Sequence, residues 1–300
     1  MIPWRMRQAM ARPRWALERA VWELRAPFVF GPRLARLREP KRAGAHEHDA
    51  AEQELVRGQL VAAGFDVRPL GVDVAAYERY LAAADYARFP LYYDGGRAAG
   101  FHEKGLEHHL ALELLKPGPE EVVVDVASQG SPAPDIYSRL TGARVHRQDL
   151  SYPKGLRDGR IGGDASSMPV PDGFASAIAL HNAFEHFEGD SDARFVTEAC
   201  RVLRPGGRMC IVPLFLASRY VVQTDPAVWP REGVPFEPDA EVACARGWRD
   251  RHGRFYDVPH LAARVRDSLR GARLTIFVVE NAREIDAGAY LRFVALIDRQ

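Results

Sequence analysis

The sequence predicts an α/β fold in which helices cover both faces of a mostly parallel sheet. From residue 121 onward, apolar runs of strand length alternate with segments of helical periodicity, and this alternation is typical of parallel sheets built from strand–helix–strand units. Several predicted strands also end on polar residues, as strands do where an open α/β sheet binds a ligand. We therefore divide the chain into a basic extension (1–45), a helical cap or lid region (46–118) and an α/β domain (119–300) with an irregular insert (216–256).

Composition narrows the class of protein. The chain has 300 residues, of which 47% are hydrophobic, enough for one large core with an extension. Its net charge of +1 argues against a nucleic-acid binder. The three cysteines are far apart and form no CxxC pair, so we expect no metal cluster, no disulfides and a reducing, cytoplasmic location. No apolar run approaches the roughly 20 residues of a spanning helix, and the N-terminus lacks the apolar core of a signal peptide.

The extension is basic and amphipathic. Residues 1–42 hold eleven Lys and Arg against three Asp and Glu, a net charge of +8. A helix over 14–26, ended by Pro27, is predicted from apolar residues at helical spacing, namely Leu17, Val21, Leu24 and Phe28. Trp15 and Trp22 fall on the opposite face. Arginine with tryptophan suits peripheral contact with an anionic membrane, whereas two apolar faces suit a helix wedged between protein surfaces, such as those of a homodimer or of the main domain.

Three helices are predicted in the cap or lid region, over 49–63, 73–88 and 102–115, from apolar residues at helical spacing. Asp73 suits the N-cap of the second helix. The second and third helices are separated by FPLYYDGGRAAG (89–100), an irregular stretch rich in aromatic residues and glycine.

Two groups of polar residues in this region are expected to be structural. The segment 46–49 has two histidines and an aspartate at a metal-like spacing, but it lies in a predicted linker, so we expect a solvated loop. His108 and His109, next to Glu107 on the third helix, are expected to make surface or interhelical contacts.

The strands of the α/β domain are predicted over 121–127, 143–148, a short run ending at Asp164, 174–182, 208–215, 273–280 and about 289–297. Helices are predicted near 133–141, 192–203 and 258–270. Polar residues follow four of the strands: Asp125 with the turn 127–131, then Asp149, Asp164, and His181 with Asn182. Because the carboxyl ends of parallel strands meet at one edge of a sheet, these residues predict a ligand site there.

Asp149 lies 24 residues after Asp125, at the predicted end of the second strand. A carboxylate there can accept hydrogen bonds from both hydroxyls of a ribose, as the acidic residue of dinucleotide-binding folds does. The spacing leaves open either a nicotinamide cofactor or an adenosyl one.

The second half of the domain resembles class I S-adenosylmethionine-dependent methyltransferases of the type 11 kind. The motifs are GGDASSMPVPDGFASAIALHNAFEHF (162–187) and, after a helix, RVLRPGGRMCIV (201–212). The resemblance covers about residues 102–214 well and the tail to 300 in outline. It implies a Rossmann-like, seven-stranded, mostly parallel sheet whose last strand is antiparallel, and S-adenosyl-L-methionine as the cofactor.

The resemblance also implies roles for single residues. Asp125 and the turn 127–131 would hold the methionine end of the cofactor, and Asp149 would bind the ribose. Asp164 and Ala165 would meet the adenine. The cofactor-binding set is then Asp125, Ala127, Gln129, Gly130, Asp149, Asp164, Ala165 and His181, with Asn182 beside His181 under the sulfonium. Tyr92, Tyr93 and His102 lie where the family often folds a lid.

The turn departs from the family's pattern. The family commonly reads D-x-G-x-G-x-G, but here residues 125–131 read DVASQGS. A non-glycine residue such as Gln129 at positive φ costs on the order of 1–2 kcal/mol. We therefore expect another path, in which Gly130 takes the unusual φ, and a modified but working site.

The sequence predicts the methyl acceptor less specifically than it predicts the cofactor. A hydroxyl acceptor benefits by about 10²–10⁴-fold from a general base. His186, then His181, with Glu185, are the candidates, although E-H also recurs in the family as a helix-start feature. The aromatic insert suits either a cap for a ring-shaped acceptor or a packed loop with its own core.

Three hypotheses follow, of which the first is favoured. The chain is an S-adenosylmethionine-dependent methyltransferase acting on a small molecule or glycan, at oxygen. Base N-methylation is disfavoured because the fourth strand is not followed by an N-P-P-Y-like stretch. The alternatives are a catalytically inactive methyltransferase-fold partner or scaffold protein, and a nucleotide-cofactor oxidoreductase, against which the lack of G-x-G-x-x-G argues.

Overall fold

The computed structural model describes residues 13–30, 34–35, 49–98, 100–225, 228, 236–245, 248 and 250–300. The helices are α1 (Pro13–Phe30), α2 (Ala50–Ala62), α3 (Val74–Ala84), α4 (Tyr93–Gly96), α5 (Phe101–Leu115), α6 (Ala133–Thr141), α7 (Ser191–Val202), α8 (Val258–Arg264) and α9 (Ala282–Ile285). The strands are β1 (Leu34–Ala35), β2 (Asp66–Leu70), β3 (Val122–Val126), β4 (Arg144–Asp149), β5 (Gly155–Arg157), β6 (Arg160–Gly162), β7 (Ala175–His181), β8 (Leu203–Val212), β9 (Val221–Thr224), β10 (Glu241–Cys244), β11 (Gly253–Phe255), β12 (Ala272–Val279) and β13 (Phe293–Arg299).

One mostly parallel sheet organises the domain, in the strand order β2-β12-β13-β8-β7-β3-β4-β6-β5. Neighbouring strands from β8 to β6 are parallel. The last strand, β13, runs antiparallel to both of its neighbours. The predicted α/β fold with an antiparallel last strand is therefore confirmed.

The sheet has more strands than the seven predicted, because both edges are extended. β5 folds back on β6 as an antiparallel hairpin. At the other edge, β2 pairs in parallel with β12, although its region was predicted to be helical. The Thr275 hydroxyl donates a 3.0 Å hydrogen bond to the Asp66 carboxylate at that pairing. The added strand covers the backbone edge that β12 would otherwise expose.

Alternation along β7 explains why both faces of the sheet are covered. Ile178 and Leu180 pack into the core beneath α7. Ala177 and Ala179 pack into the opposite core, which α5 and α6 cover. Successive strand residues point to opposite faces, so an entirely apolar strand requires helices on both. This arrangement places α5 over the carboxyl end of β3.

Two helices end at residues other than the predicted ones. The second cap-region helix, predicted to reach residue 88, ends at Ala84 because Asp85 takes a left-handed φ of 47°. The helix of the extension was predicted to end at Pro27, but α1 continues to Phe30. Pro27 therefore lies inside α1, where its nitrogen cannot donate the helical hydrogen bond that another residue would make. Among the described helices, none is long and apolar enough to cross a membrane.

The insert was predicted to be irregular, but three of its segments are strands. β9, β10 and β11 form a second sheet with β1 of the extension, in the order β1-β10-β9-β11. Its aromatic residues give it a small core, in which Phe215 and Phe255 lie 5.1 Å apart between ring centroids. Arg254, fully buried, ties this sheet to α7 by a 2.8 Å ion pair with Asp192. The packed-loop interpretation therefore accounts for these side chains.

Candidate functional site

A cavity of about 300 Å³ opens at the carboxyl ends of β3 and β7. The chain passes from β3 outward to β4 on one side and returns to place β7 on the other, so this is the point where the strand order reverses. Three segments line the cavity: the turn after β3, the end of β7, and the α4–α5 side. The residues are Tyr92, Tyr93, Lys104, Glu107, His108, Asp125, Val126, Ala127, Ser128, Gln129, Gly130, Ser131, His181 and Asn182.

The turn after β3 takes a path with two left-handed residues. Gly130 has a φ of 73°, which confirms its predicted conformation. Ala127, where the family's pattern has its first glycine, has a φ of 55° and was not predicted to be left-handed. The turn is held to β4: the Gln129 amide donates to Asp149 Oδ2 at 3.2 Å and the Ser128 amide to the Gln148 carbonyl at 3.0 Å.

Replacing Gly130 with alanine is expected to lower the free energy of unfolding by about 1–2 kcal/mol, because a Cβ at positive φ is strained. Nothing lies within 4 Å of the Cβ position, so the cost is one of backbone conformation and not of collision. Ala127→Gly, which relieves the other left-handed position, is the matched variant and should not destabilise by a similar amount. Denaturant unfolding of both variants checks this, and equal losses would contradict it.

The Asp125 carboxylate is almost completely buried at the end of β3, 1% exposed. Its Oδ1 accepts a 2.9 Å hydrogen bond from His181 Nδ1. His181 Nε2 lies 2.9 Å from the Tyr137 hydroxyl, which donates to the His108 carbonyl at 2.7 Å. Both ring nitrogens of His181 are therefore engaged, and the chain of contacts fixes Asp125.

Asp125 Oδ2 is buried and has no hydrogen-bond partner among the described residues. A buried carboxylate oxygen without a donor is costly, and this one belongs to a residue that lines the cavity. An ammonium group entering the cavity would satisfy it. The residues present thus fit the amino-acid end of S-adenosylmethionine.

The other predicted cofactor residues lie beside the cavity, along the ends of β4 and β6. Asp149 Oδ1 accepts from the Ser151 amide at 2.8 Å, and its carbonyl accepts from the Gly163 amide at 3.2 Å. Asp164 is exposed and caps the turn Ala165–Ser167. Ala165 is buried beneath it. Asp149 thus stands at the end of β4, and Asp164 and Ala165 stand just after β6.

His186 and Glu185 lie on the short 3₁₀ turn Phe184–His186 after β7 and are not among the lining residues. His186 Nδ1 is 2.7 Å from the His252 carbonyl, and its Nε2 is 3.4 Å from Glu185 Oε1. Burial tends to lower the pKa of His186, but the Glu185 carboxylate and the His252 carbonyl outweigh it and raise that pKa. Burial raises the pKa of Glu185. The structure brings His181 to the cavity and leaves this pair outside its wall.

Four polar residues of α5 form a buried cluster that the sequence did not predict: Glu103, Lys104, Glu107 and His108. His109 makes the expected interhelical contacts, with Tyr77 and Tyr80 of α3. His108 is also buried and lies against Tyr137 of α6, so of the two expected positions, surface or interhelical, both histidines take the interhelical one. Charged residues four apart on a helix between the lid and the first strand are the signal that could have revealed the cluster.

Lys104 organises the cluster. Its ammonium donates to Glu107 Oε1 at 2.6 Å and to the Tyr290 hydroxyl at 3.1 Å. Glu107 Oε2 is buried and has no hydrogen-bond partner among the described residues. Burial raises the pKa of Glu107, an effect that Lys104 opposes. Burial also lowers the pKa of His108 well below its ordinary value, and the His108 imidazole is therefore neutral.

Glu103 is expected to make the protein less stable as pH rises. Burial, and then the charge of Glu107, raise the pKa of Glu103 from 4.5 to about 8. Between these values the unfolded chain has lost the proton that the folded chain keeps, so the free energy of unfolding falls by up to about 1.4 kcal/mol per pH unit. Glu103→Gln should flatten this slope, whereas Glu54→Gln, an exposed residue of α2, should not. Denaturant unfolding from pH 4.5 to 8 measures both, and equal slopes in wild type and Glu103→Gln would refute the assignment.

Residues 127–211 match a family model described as a methyltransferase domain. This stretch runs from the turn after β3 to β8 and includes the ends of β4, β6 and β7. No curated protein is similar enough to this chain to count as a match.

Several solved structures are similar to this chain. One is the 1,6-didemethyltoxoflavin-N1-methyltransferase of Burkholderia thailandensis with bound 1,6-didemethyltoxoflavin and S-adenosylhomocysteine, at 19% identity over 77% of this chain and 93% of that one, with a TM-score of 0.41. Another is the geranyl diphosphate C-methyltransferase of Streptomyces coelicolor A3(2), at 14% identity over 79% and 87%, with a TM-score of 0.44. A candidate methyltransferase of Bacillus halodurans C-125 matches at 24% identity over 35% of this chain, with a TM-score of 0.30, and the match spans 49% of that protein's length.

Proposed function

We propose that this chain, an S-adenosylmethionine-dependent methyltransferase whose residues 127–211 match a methyltransferase domain, methylates a hydroxyl group of a small molecule or glycan. The observation that carries the proposal is Glu107. This buried carboxylate lines the cavity and has one oxygen held by Lys104 and the other without a partner among the described residues. Such a group can take the proton that a hydroxyl loses.

When bound, S-adenosylmethionine supplies an electrophilic methyl group on a sulfonium. In this proposal Asp125 Oδ2 binds the ammonium of the amino-acid end of the cofactor. The backbone of Ala127, Gln129 and Gly130 lies along the same end. Asp149 takes the ribose hydroxyls. Asp164 and Ala165 take the adenine, as their position after β6 supports.

His181 acts as a positioning residue. Its two ring nitrogens are taken by Asp125 and Tyr137, at 2.9 Å each, so it is less suited to accept a proton from an acceptor than the sequence suggested. It holds Asp125 in one orientation at the cavity wall. Asn182, the next residue, has a left-handed φ of 46° and turns the chain away at the point where the methyl group is expected.

Glu107 is the proposed general base. Lys104 fixes the carboxylate through Oε1 and leaves Oε2 without a donor among the described residues, and in this proposal Oε2 accepts the proton of the acceptor hydroxyl. Because burial raises its pKa, Glu107 binds a proton more strongly than an exposed glutamate does. Glu185 and His186 remain the alternative base, reached only if an acceptor extends past Asn182 toward the Phe184–His186 turn.

The cavity is small. Its volume of about 300 Å³ lies at the lower end of the range for small-molecule sites, about 300–1,000 Å³, and the amino-acid end of the cofactor would take part of it. Tyr92 and Tyr93 border it, and rings of this kind suit the face of a sugar or an aromatic acceptor.

Calorimetric titration with S-adenosylmethionine and S-adenosylhomocysteine tests the first half of the proposal. Micromolar binding that Asp149→Ala abolishes is the expected result. A panel of hydroxyl-bearing sugars and aromatic molecules, with S-adenosylhomocysteine release as the readout, tests the second half. A well-folded chain that binds neither ligand would favour the alternative, a catalytically inactive partner or scaffold of the same fold.

A further inference from the structure

A row of apolar side chains on α1 faces solvent. Leu17, Val21, Leu24 and Phe28 are 66%, 45%, 74% and 89% exposed. Their spacing of three and four residues puts them on one face of the helix, and α1 is 18 residues long, or roughly 27 Å. We call these four residues the α1 stripe.

On the opposite face of α1, one residue is buried. Ala26 is only 3% exposed, and it follows Leu17 by nine residues, which at about 100° per residue is half a turn away from the stripe. Ala26 is therefore covered, whereas the α1 stripe half a turn away is not.

The segment of the sequence that contains the α1 stripe is positively charged. Residues 1–42 carry a net charge of +8 in a chain whose total is +1. Arg25 is exposed, and its position on the helix borders the stripe. β1, which follows α1, pairs with β10 of the insert and so attaches the extension to the folded domain.

We propose that α1 lies in the plane of an anionic membrane surface, with the α1 stripe inserted among the lipids. An outward apolar row on a basic helix is the pattern of interfacial helices. Negatively charged headgroups match the +8 charge of this segment. Because β1, which follows α1, pairs with β10 of the insert, the enzyme as a whole is held at that surface.

Flotation of the full chain with phosphatidylcholine vesicles containing about 30% phosphatidylserine tests this. We expect binding to these vesicles, at least tenfold less to pure phosphatidylcholine, and weakening when salt rises from about 0.1 to 0.5 M. The double variant Leu24→Ser/Phe28→Ser should lose binding at least tenfold. Leu55→Ser removes an exposed leucine of α2 instead (52% exposed) and should bind as wild type does.

Light scattering distinguishes the membrane from a second copy of the chain. Failure to bind either vesicle, or binding unchanged by the double variant, would overturn the proposal. So would a wild-type dimer that the double variant converts to monomer without any vesicle binding, because the stripe would then be a subunit contact. Circular dichroism of the same samples reports that each variant is folded, and S-adenosylhomocysteine binding tests the proposed function separately.

Discussion

Replacing Asp125 with asparagine is expected to weaken S-adenosylmethionine binding by about thirtyfold or more. Removing one member of a buried, hydrogen-bonded charge pair costs about 2–5 kcal/mol, and about 1.4 kcal/mol corresponds to a tenfold change. Asparagine keeps the size of the side chain and an oxygen that can accept from His181 Nδ1, so the fold should persist. Calorimetric titration with the cofactor measures the loss.

Asp190→Asn serves as the matched control, since Asp190 is an exposed aspartate (its side chain is 73% exposed) at the start of α7. Its cofactor affinity should equal that of the wild type. If Asp125→Asn binds within threefold of wild type while Asp149→Ala binds nothing, the ammonium is held elsewhere and the role given to Asp125 Oδ2 is wrong.

Replacing Glu107 with glutamine is expected to lower kcat by about 10²–10⁴-fold, the usual contribution of a general base. Glutamine can still accept the hydrogen bond from Lys104, but it cannot take a proton. Cofactor affinity should change little. In the wild type, log kcat should rise with pH through the raised pKa of Glu107 and then level, because the base acts only when deprotonated; the variant should lack this rise.

Glu103→Gln is the control for this experiment, because Glu103 lies one turn earlier on α5, is equally buried, and is not among the cavity-lining residues. Its kcat should stay near the wild-type value at pH 7. Should Glu107→Gln keep its activity while Glu185→Gln or His186→Ala loses it, the base belongs to the Phe184–His186 turn as the sequence first indicated.

Much of the sheet follows from the sequence, because its two central strands are mostly apolar. In Val122–Val126 and Ala175–His181 the residues before Asp125 and His181 are almost all apolar and mostly buried, and such runs are typical of parallel strands. Asp125 and His181 mark the site because they stand at the ends of these runs. Short strands were missed. β2 and the three insert strands have three to five residues each, and partners distant in the chain decide whether such segments pair.

The site was predicted where a residue's role depends on its place at a strand end, and missed where it depends on tertiary packing. Asp125, Gly130 and His181 belong to the first kind. Glu107 belongs to the second, because a charged residue on a helix is ordinarily solvated, and only the packing of α3, α4, β7 and β8 around α5 buries it. Ala127 is a third case: its left-handed φ opposes its own preference and is imposed by the hydrogen bonds that tie the turn to β4.

Asp125, Glu103 and Glu107 each bury one carboxyl oxygen that has no donor among the described residues, and each such oxygen costs about 1–3 kcal/mol of native stability or more. These three oxygens lie at the centre of the domain, where α5 packs against the sheet. A ligand that donates hydrogen bonds to Asp125 and Glu107 favours the native state in proportion to its own concentration. In the proposed function the ligand at Asp125 is S-adenosylmethionine, and its binding would make the protein more resistant to heat and to proteolysis.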